Sequence, residues 1–395
     1  LPNRLKLSSN VIALSIVSFF NDVSSEMIYP LLPLFITGVL GAGASAVGAV
    51  EGVADAVLSL SNVLFELFSD RIGRRKPFIF TGYFVANVAR PFIGITSQWW
   101  QVLGLRSMDR LGKGIRTPPR DSLIAVSVSP ECRGRAFGFQ RGMDNAGALL
   151  GPMLASLFLL YWHNLRVLFL LAAVPGVMAV LVVFFFVKEV APGKDHAPLT
   201  FSRPFQRASS GKKALGRGVL LYLGALALFS LGNSSDAFLM LRARELGFGI
   251  ATVPLLWMIL HVSRALSAFP GGILADRWGR KRMLLWGWVI YGGVYFALAL
   301  VASSTLYWFL LLVYGLYYGL TEGAERALLS ELVAPGALGN GFGWFHGVRG
   351  VALLAGNLLF GYLWQIYGAP VAFAEGTLCA ILAVLLLLKV GRNKT

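Results

Sequence analysis

The sequence predicts an all-α polytopic membrane protein, with twelve transmembrane helices in two pseudo-symmetric six-helix bundles. Three observations carry that expectation. Of 395 residues, 56% are hydrophobic and only 14% are charged, with a mean hydropathy of +0.68; soluble domains average about 25% charged residues. Apolar runs recur at about 20 residues, the length a helix needs to cross a bilayer, as at Val167–Val187, Met283–Ala302 and Ala369–Leu388. The two halves also repeat. Asp70-Arg-Ile-Gly-Arg-Arg-Lys matches Asp276-Arg-Trp-Gly-Arg-Lys-Arg at an offset of 206, and Leu40-Gly41 matches Leu246-Gly247 at the same offset. Ala136-Phe-Gly-Phe-Gln-Arg-Gly matches Gly341-Phe-Gly-Trp-Phe-His-Gly at 205. A β-barrel would show short alternating segments instead.

The first six spans fall at 10–38, 46–69, 77–95, 98–127, 134–161 and 165–188, making an N-terminal bundle over 1–188. The second six fall at 215–241, 248–275, 281–302, 305–333, 338–366 and 369–390, making a C-terminal bundle over 215–395. Residues 189–214 between them are polar, Pro-bearing and basic, and read as a cytoplasmic linker. The fourth span is the least apolar. Gln101–Asp121 carries Arg106, Asp109, Arg110, Lys113, Arg116, Arg120 and Asp121, with the cations every three or four residues and so on one helical face. A charge near the bilayer centre costs at least about 2.5–3.5 kcal/mol, so that face must turn to water or to partners. The repeat sets this stretch opposite Leu306–Leu332, whose first half is plainly apolar, and this supports a helix over a loop.

The net charge of +16 collects in particular loops. Arg71, Arg74, Arg75 and Lys76 follow the second span, and Arg277, Arg280, Lys281 and Arg282 the eighth. The alternate loops 37–47, 96–100 and 303–305 are nearly charge-free, while Arg242 and Arg244 are the exception. The positive-inside rule then predicts a multi-pass protein of the cytoplasmic (inner) membrane with both termini cytoplasmic. Cys132 and Cys379 suggest no disulfide framework, and the N-terminus lacks a cleaved signal pattern. No P-loop, zinc spacing or nucleophile constellation is present, so neither an enzyme, ATP-driven transport, a metal nor another cofactor is expected.

Two motifs lead further. Gly272-Ile-Leu-Ala-Asp276-Arg-Trp-Gly-Arg-Lys fits G-x-L-A-D-R-x-G-R-R/K, and its first copy differs by carrying Glu66 in place of the leading Gly. Gly138, Gly147 and Gly151-Pro152 fit G-x8-G-x3-G-P, with Ala155 and Ser156 following in place of glycines. On these residues the chain resembles the major facilitator superfamily over essentially its whole length, and within it the proton-coupled exporters of drug or metabolite antiporter type. The resemblance implies a latch at Asp70, Arg71, Gly73, Arg74, Asp276, Arg277, Gly279 and Arg280; a positive-inside anchor is the plainer reading of the same residues. The glycines of the fifth span serve either the antiporter motif or simple close helix packing. A weaker likeness, Arg106-x-x-Asp109-Arg110-x-Gly112 to R-x-x-Q-G-x-G, ties Arg106 to proton movement in the family.

The charges inside the spans are candidates for function by default. Asp22, Glu26, Asp55, Asp109 and Asp144 are candidates for proton coupling. Asp22 and Glu26 stand out because no cation lies within a turn of them, and a carboxylate in low dielectric without a counter-charge readily takes a proton. Arg106–Asp109 and Arg141–Asp144 read equally well as static pairs. Arg106, Arg110, Lys113, Arg141, His261, Arg264, His346 and Arg349 are candidates for a substrate cavity. Glu51, Glu66, Asp236, Glu322, Glu325 and Arg326 read as lying nearer the membrane faces. The expected function is secondary active transport by alternating access. It is read as proton-driven export of a small organic molecule. An exchanger of organic anions or zwitterions through an arginine-rich cavity is the alternative, and a non-transporting receptor or scaffold a minor one. The partners expected are substrate, protons and lipid, with no nucleic acid, for a monomer.

Overall fold

A computed structural model describes residues 8–72, 74–190, 216–334 and 337–391, all helix and short connections, without a strand among the described residues. Each expected span has a helical counterpart. These are α1 (Ser9–Val39), α2 (Ala44–Ile72), α3 (Lys76–Ile95), α4 (Trp99–Val126), α5 (Arg133–Tyr161) and α6 (Leu165–Phe186), then α7 (Arg217–Glu245), α8 (Val253–Trp278), α9 (Arg280–Leu300), α10 (Ser304–Leu332), α11 (Leu338–Tyr367) and α12 (Ala369–Leu388). Among the described residues nine helices are long and apolar enough to cross a membrane, or ten if the bent α8 counts as one span. The charge-laden α4 and α10 fall outside that set yet run 28 and 29 residues. At about 1.5 Å per residue each reaches the full hydrocarbon thickness. Of the stretch read as linker, only Glu189 and Val190 are among the described residues.

Local chemistry sets the helix ends. Ser8, Asn164 and Ser303 cap α1, α6 and α10 with side-chain oxygens, satisfying N–H groups that have no partner inside the helix. The start of α3 is capped from a distance: the Glu189 carboxylate accepts from the backbone N–H of Arg75 at 3.0 Å and of Lys76 at 2.8 Å. The repeated Leu-Gly pair ends α1 and α7, with Gly41 at φ 67° and Gly247 at φ 86°. Gly279, inside the second copy of the charged motif, has φ 92°. Only glycine adopts such angles at little cost.

Among the described residues the helices fall into two compact units. One holds α1 up to Phe35, α2 from Val57, α3 to α6, and Ile250–Met258 with the first turn of α8; the other holds Ile36–Ala56, α7, and α8 from Ile259 through α12. Within the first, α1 packs on α5 and α6, and α3 on α4 and α6. Within the second, α7 packs on α11 and α12, and α9 on α10 and α12. These neighbours correspond under the sequence repeat. The first unit has an apolar core of Val11, Leu14, Val17, Ile79, Tyr83 and Leu123, all fully enclosed.

Both units break their leading helix at equivalent places. In α1 the α-helix gives way to a 3-10 turn at Tyr29–Leu31, where Pro30 has no N–H to offer. In α7 it stops at Gly232 and resumes at Ala237, leaving Asn233–Ser235 unwound.

Candidate functional site

The acidic face of α1 is built by glycines of α5. Asp22 and Glu26 are four residues apart and share a face. A Cβ on Gly147 would stand 2.5 Å from the Phe19 carbonyl oxygen and 3.1 Å from the Asp22 Cβ. One on Gly151 would stand 2.7 Å from the Val23 oxygen and 3.1 Å from the Glu26 Cβ. Glycine at these two positions is therefore what lets α5 lie against the carboxylates. Asn21 donates to Asp22 Oδ1 at 2.9 Å. Gln140 donates to Asp144 Oδ2 at 2.7 Å, while Asp144 Oδ1 is enclosed and accepts no hydrogen bond. Among the described residues neither Asp22 nor Asp144 forms an ion pair, and the charged groups whose fields reach Asp22 are Asp144, Glu26 and Lys113. Trp257, from the first turn of α8 and in the same unit, donates its indole N–H to Glu26 Oε2 at 2.7 Å. Its ring lies 4.8 Å from that of Tyr29.

Beside the carboxylates, α3 and α4 contribute a buried ion triad. Asp109, 2% exposed, accepts from Arg90 Nε at 2.8 Å and from Arg106 Nη1 at 3.1 Å. Arg90 Nη1 also donates to the Asn21 carbonyl oxygen, to Asn21 Oδ1 and to Asn87 Oδ1 at 3.0–3.1 Å. One guanidinium thus joins α1, α3 and α4, and its fork geometry suits several oxygens at once. Arg106 and Arg110 lie 4.6 and 5.7 Å from the Tyr29 ring centre, and Arg116 lies 4.4 Å from that of Tyr83. Arg110 Nε and Arg116 Nε and Nη1 are enclosed without a hydrogen-bond acceptor. Lys113 and Arg141 are exposed. Arg120 reaches Ser18 Oγ at 3.2 Å and pairs with Asp121 at 2.9 Å.

The second unit places its charges differently. Arg264 pairs with Glu322 at 3.1 Å and lies 4.4 Å from the Tyr318 ring centre. Arg349 pairs with Glu325, 4% exposed, at 2.7 Å. At the break in α7, Asp236 accepts from Tyr314 at 2.7 Å and Tyr318 at 2.8 Å. His261 is half-buried and His346 exposed. Asp55 of α2 is half-buried. In the charged motifs, Arg74, Asp276 and Arg277 are exposed, and Arg280 pairs with Glu331 at 3.0 Å. Gly73 and the side chains of Asp70 and Arg71 lie outside the described residues.

The family model described as Major Facilitator Superfamily matches residues 14–352 and, again, 242–395. The chain belongs to the major facilitator superfamily. An uncharacterised MFS-type transporter of Methanocaldococcus jannaschii is 36% identical over 393 residues, which span 98% of this chain and 96% of that one. The multi-drug resistance efflux pump PmrA of Streptococcus pneumoniae is 26% identical, over 94% of this chain and 95% of its own. Among solved structures, the nucleoside transporter NupG aligns with a TM-score of 0.79 at 12% identity, covering 96% of this chain and 98% of that one. A bacterial homolog of the human lysosomal transporter Spinster aligns at 0.73 and 16%, over 96% and 94%. At such identities these two speak for the fold alone. The chain is thus a multi-pass membrane transporter of this superfamily.

Measured against the sequence expectations, this superfamily member gathers Asp22, Glu26 and Asp144 together and ties Asp109 to Arg106. Arg141 turns outward, and Asp144 takes its hydrogen bond from Gln140 instead. Glu51 and Glu325 are buried, at 1% and 4% exposed. Sequence reasoning passed over Arg90, Asn87, Gln140 and Trp257. Arg90 alone carried a signal, being a cation within the apolar run of α3.

Proposed function

We propose that this transporter is a proton-driven exporter of small organic molecules, with Asp22, Glu26 and Asp144 as the proton-carrying group. The observation that carries the reading is the meeting of these carboxylates at the α1–α5 crossing, with Asp22 and Asp144 outside the ion pairs of the described residues. Like charges in low dielectric resist joint ionisation, which is the property a proton carrier needs. Asp109 does not share that role here, because two guanidinium groups already hold its charge. In alternating access the proton enters from outside and leaves inside while cargo moves the other way. Each elementary charge moved inward is driven by about 2.3 kcal/mol per 100 mV. The likeness to a multidrug efflux pump favours export. The basic loops favour the cytoplasmic membrane with both termini inside.

A second reading rests on Arg110 and Lys113, which among the described residues make no ion pair, and on the N–H groups of Arg110 and Arg116 left unmet there. They suit a carboxylate or phosphate of an anionic or zwitterionic cargo. Proteoliposomes with an imposed pH gradient test both, using a panel of lipophilic cations and organic anions. The first reading expects gradient-driven flux of the cations, lost at least about tenfold in Asp22→Asn while ligand-induced thermal stabilisation persists. Gradient-driven flux that is unchanged in Asp22→Asn would defeat the assignment.

A further inference from the structure

We propose that Asp236 is a second proton-binding carboxylate, set in the unwound break of α7, so that the second unit carries a proton as well as the first. The idea deepens the proton-driven reading above and rests on it for its role in transport. The binding itself is measured without any flux.

The break supplies the setting. Asn233–Ser235 is unwound within a span, and unwound backbone inside a membrane persists only where protein or a water-lined cavity satisfies it. Here Asn357 Oδ1 of α11 accepts from the Ser235 N–H at 2.6 Å. Asp236 then begins the second half of the helix. By the repeat offset it stands opposite Pro30, the residue that interrupts α1. The two units thus break at the same point, and each keeps acidic side chains beside the break: Glu26 four residues before Pro30, and Asp236 at the break itself.

The surroundings select a proton over other ligands. Both oxygens of Asp236 are engaged by hydroxyls, Oδ1 by Tyr314 and Oδ2 by Tyr318. The nearby charged and titratable groups are Arg264 and His261 from α8, Tyr314, Tyr317 and Tyr318 from α10, and Tyr295 from α9. Arg264 is the cation that could neutralise Asp236, yet it pairs with Glu322 and stacks on Tyr318, and among the described residues Asp236 has no ion pair within 4 Å. Among the described residues no group of three His, Cys, Asp or Glu side chains could hold a metal ion. Tyr291, Tyr295, Tyr314 and Tyr317 are buried against one another, leaving no face free for an organic cation. A proton needs no such room. It would join a carboxylate oxygen on the half-buried Tyr318 side, converting a charge held outside any ion pair within the span into a neutral acid. Hydroxyls can serve either form, since each both donates and accepts. Tyr295 extends the network, its hydroxyl in reach of those of Tyr314, Tyr291 and Ser234.

The test is infrared difference spectroscopy of the purified full-length protein in lipid, stepped between acid and alkaline pH. The wild type is expected to show more than one carboxylic C=O band appearing on acidification. Asp236→Asn should remove one band and leave the band that Asp22→Asn removes. Tyr318→Phe, at a half-buried position, should raise the frequency of the Asp236 band, since a hydrogen-bonding hydroxyl is gone. If Asp236→Asn fails to fold, the Tyr318→Phe shift decides alone. A difference spectrum identical to wild type in Asp236→Asn, or no band shift in Tyr318→Phe, overturns the proposal. If the Asp22 band is absent while the Asp236 band is present, the α1 assignment fails and this one stands.

Discussion

At the residue scale, the decisive side chain is Arg90. It is 4% exposed, pairs with Asp109, and gives further N–H groups to Asn21 and Asn87. Breaking a buried pair by removing one partner costs about 3–5 kcal/mol, because the remaining charge stays buried. Arg90→Leu is therefore expected to lower the thermal midpoint in detergent sharply. Arg90→Leu with Asp109→Asn should recover part of the loss, and the double-mutant cycle measures the coupling. Asp22→Asn is expected to behave oppositely, abolishing gradient-driven flux with little change in thermal midpoint, since no ion pair is lost. Arg90 was visible in the sequence only as a cation in an apolar run. Asp109 and Asn21 lie 19 and 69 residues away from it, and no local pattern links them.

At the element scale, the fifth-span motif divides into glycines with different duties. Gly147 and Gly151 meet the backbone of α1, while a Cβ on Gly138 would meet nothing within 4 Å. Gly147→Ala and Gly151→Ala are therefore expected to destabilise the protein by about 1–3 kcal/mol through overpacking, and Gly138→Ala to be neutral, all read as thermal midpoints. Equal effects at the three positions would refute the division. The break in α7 gives a second test. Asn357 is fully buried and accepts from the Ser235 N–H, so Asn357→Ala removes that bond and is expected to cost about 0.5–1.5 kcal/mol, read as a thermal midpoint. The spacing of the glycines was legible in the sequence. Which of them touch a neighbouring backbone depends on how far α5 is rotated about its axis, and that is set by packing.

At the scale of the whole molecule, the orientation predicted from the basic loops is open to direct labelling. With Cys132 and Cys379 replaced, a cysteine at Ala302, exposed beyond the end of α9, should react with a membrane-impermeant maleimide in intact cells. One at Asp276, also exposed, should react only after the membrane is opened. The reverse pattern would invert the topology and with it the direction of proton flow.

The sequence by itself determined the helical membrane fold, the superfamily and the repeat. These follow from hydropathy, run length and motifs that recur at a fixed offset, all of which are properties of the chain read in one dimension. It also marked α4 as a helix that must hide its charges. Only the tertiary structure decided which charges neutralise one another: Asp109 with Arg90 and Arg106, Arg264 with Glu322, Arg349 with Glu325. It likewise left Asp22, Asp144 and Asp236 outside any ion pair among the described residues. The physical reason is range. An ion pair exists or fails over about 4 Å in a low-dielectric interior, and that distance is fixed by the approach and rotation of helices far apart in the chain.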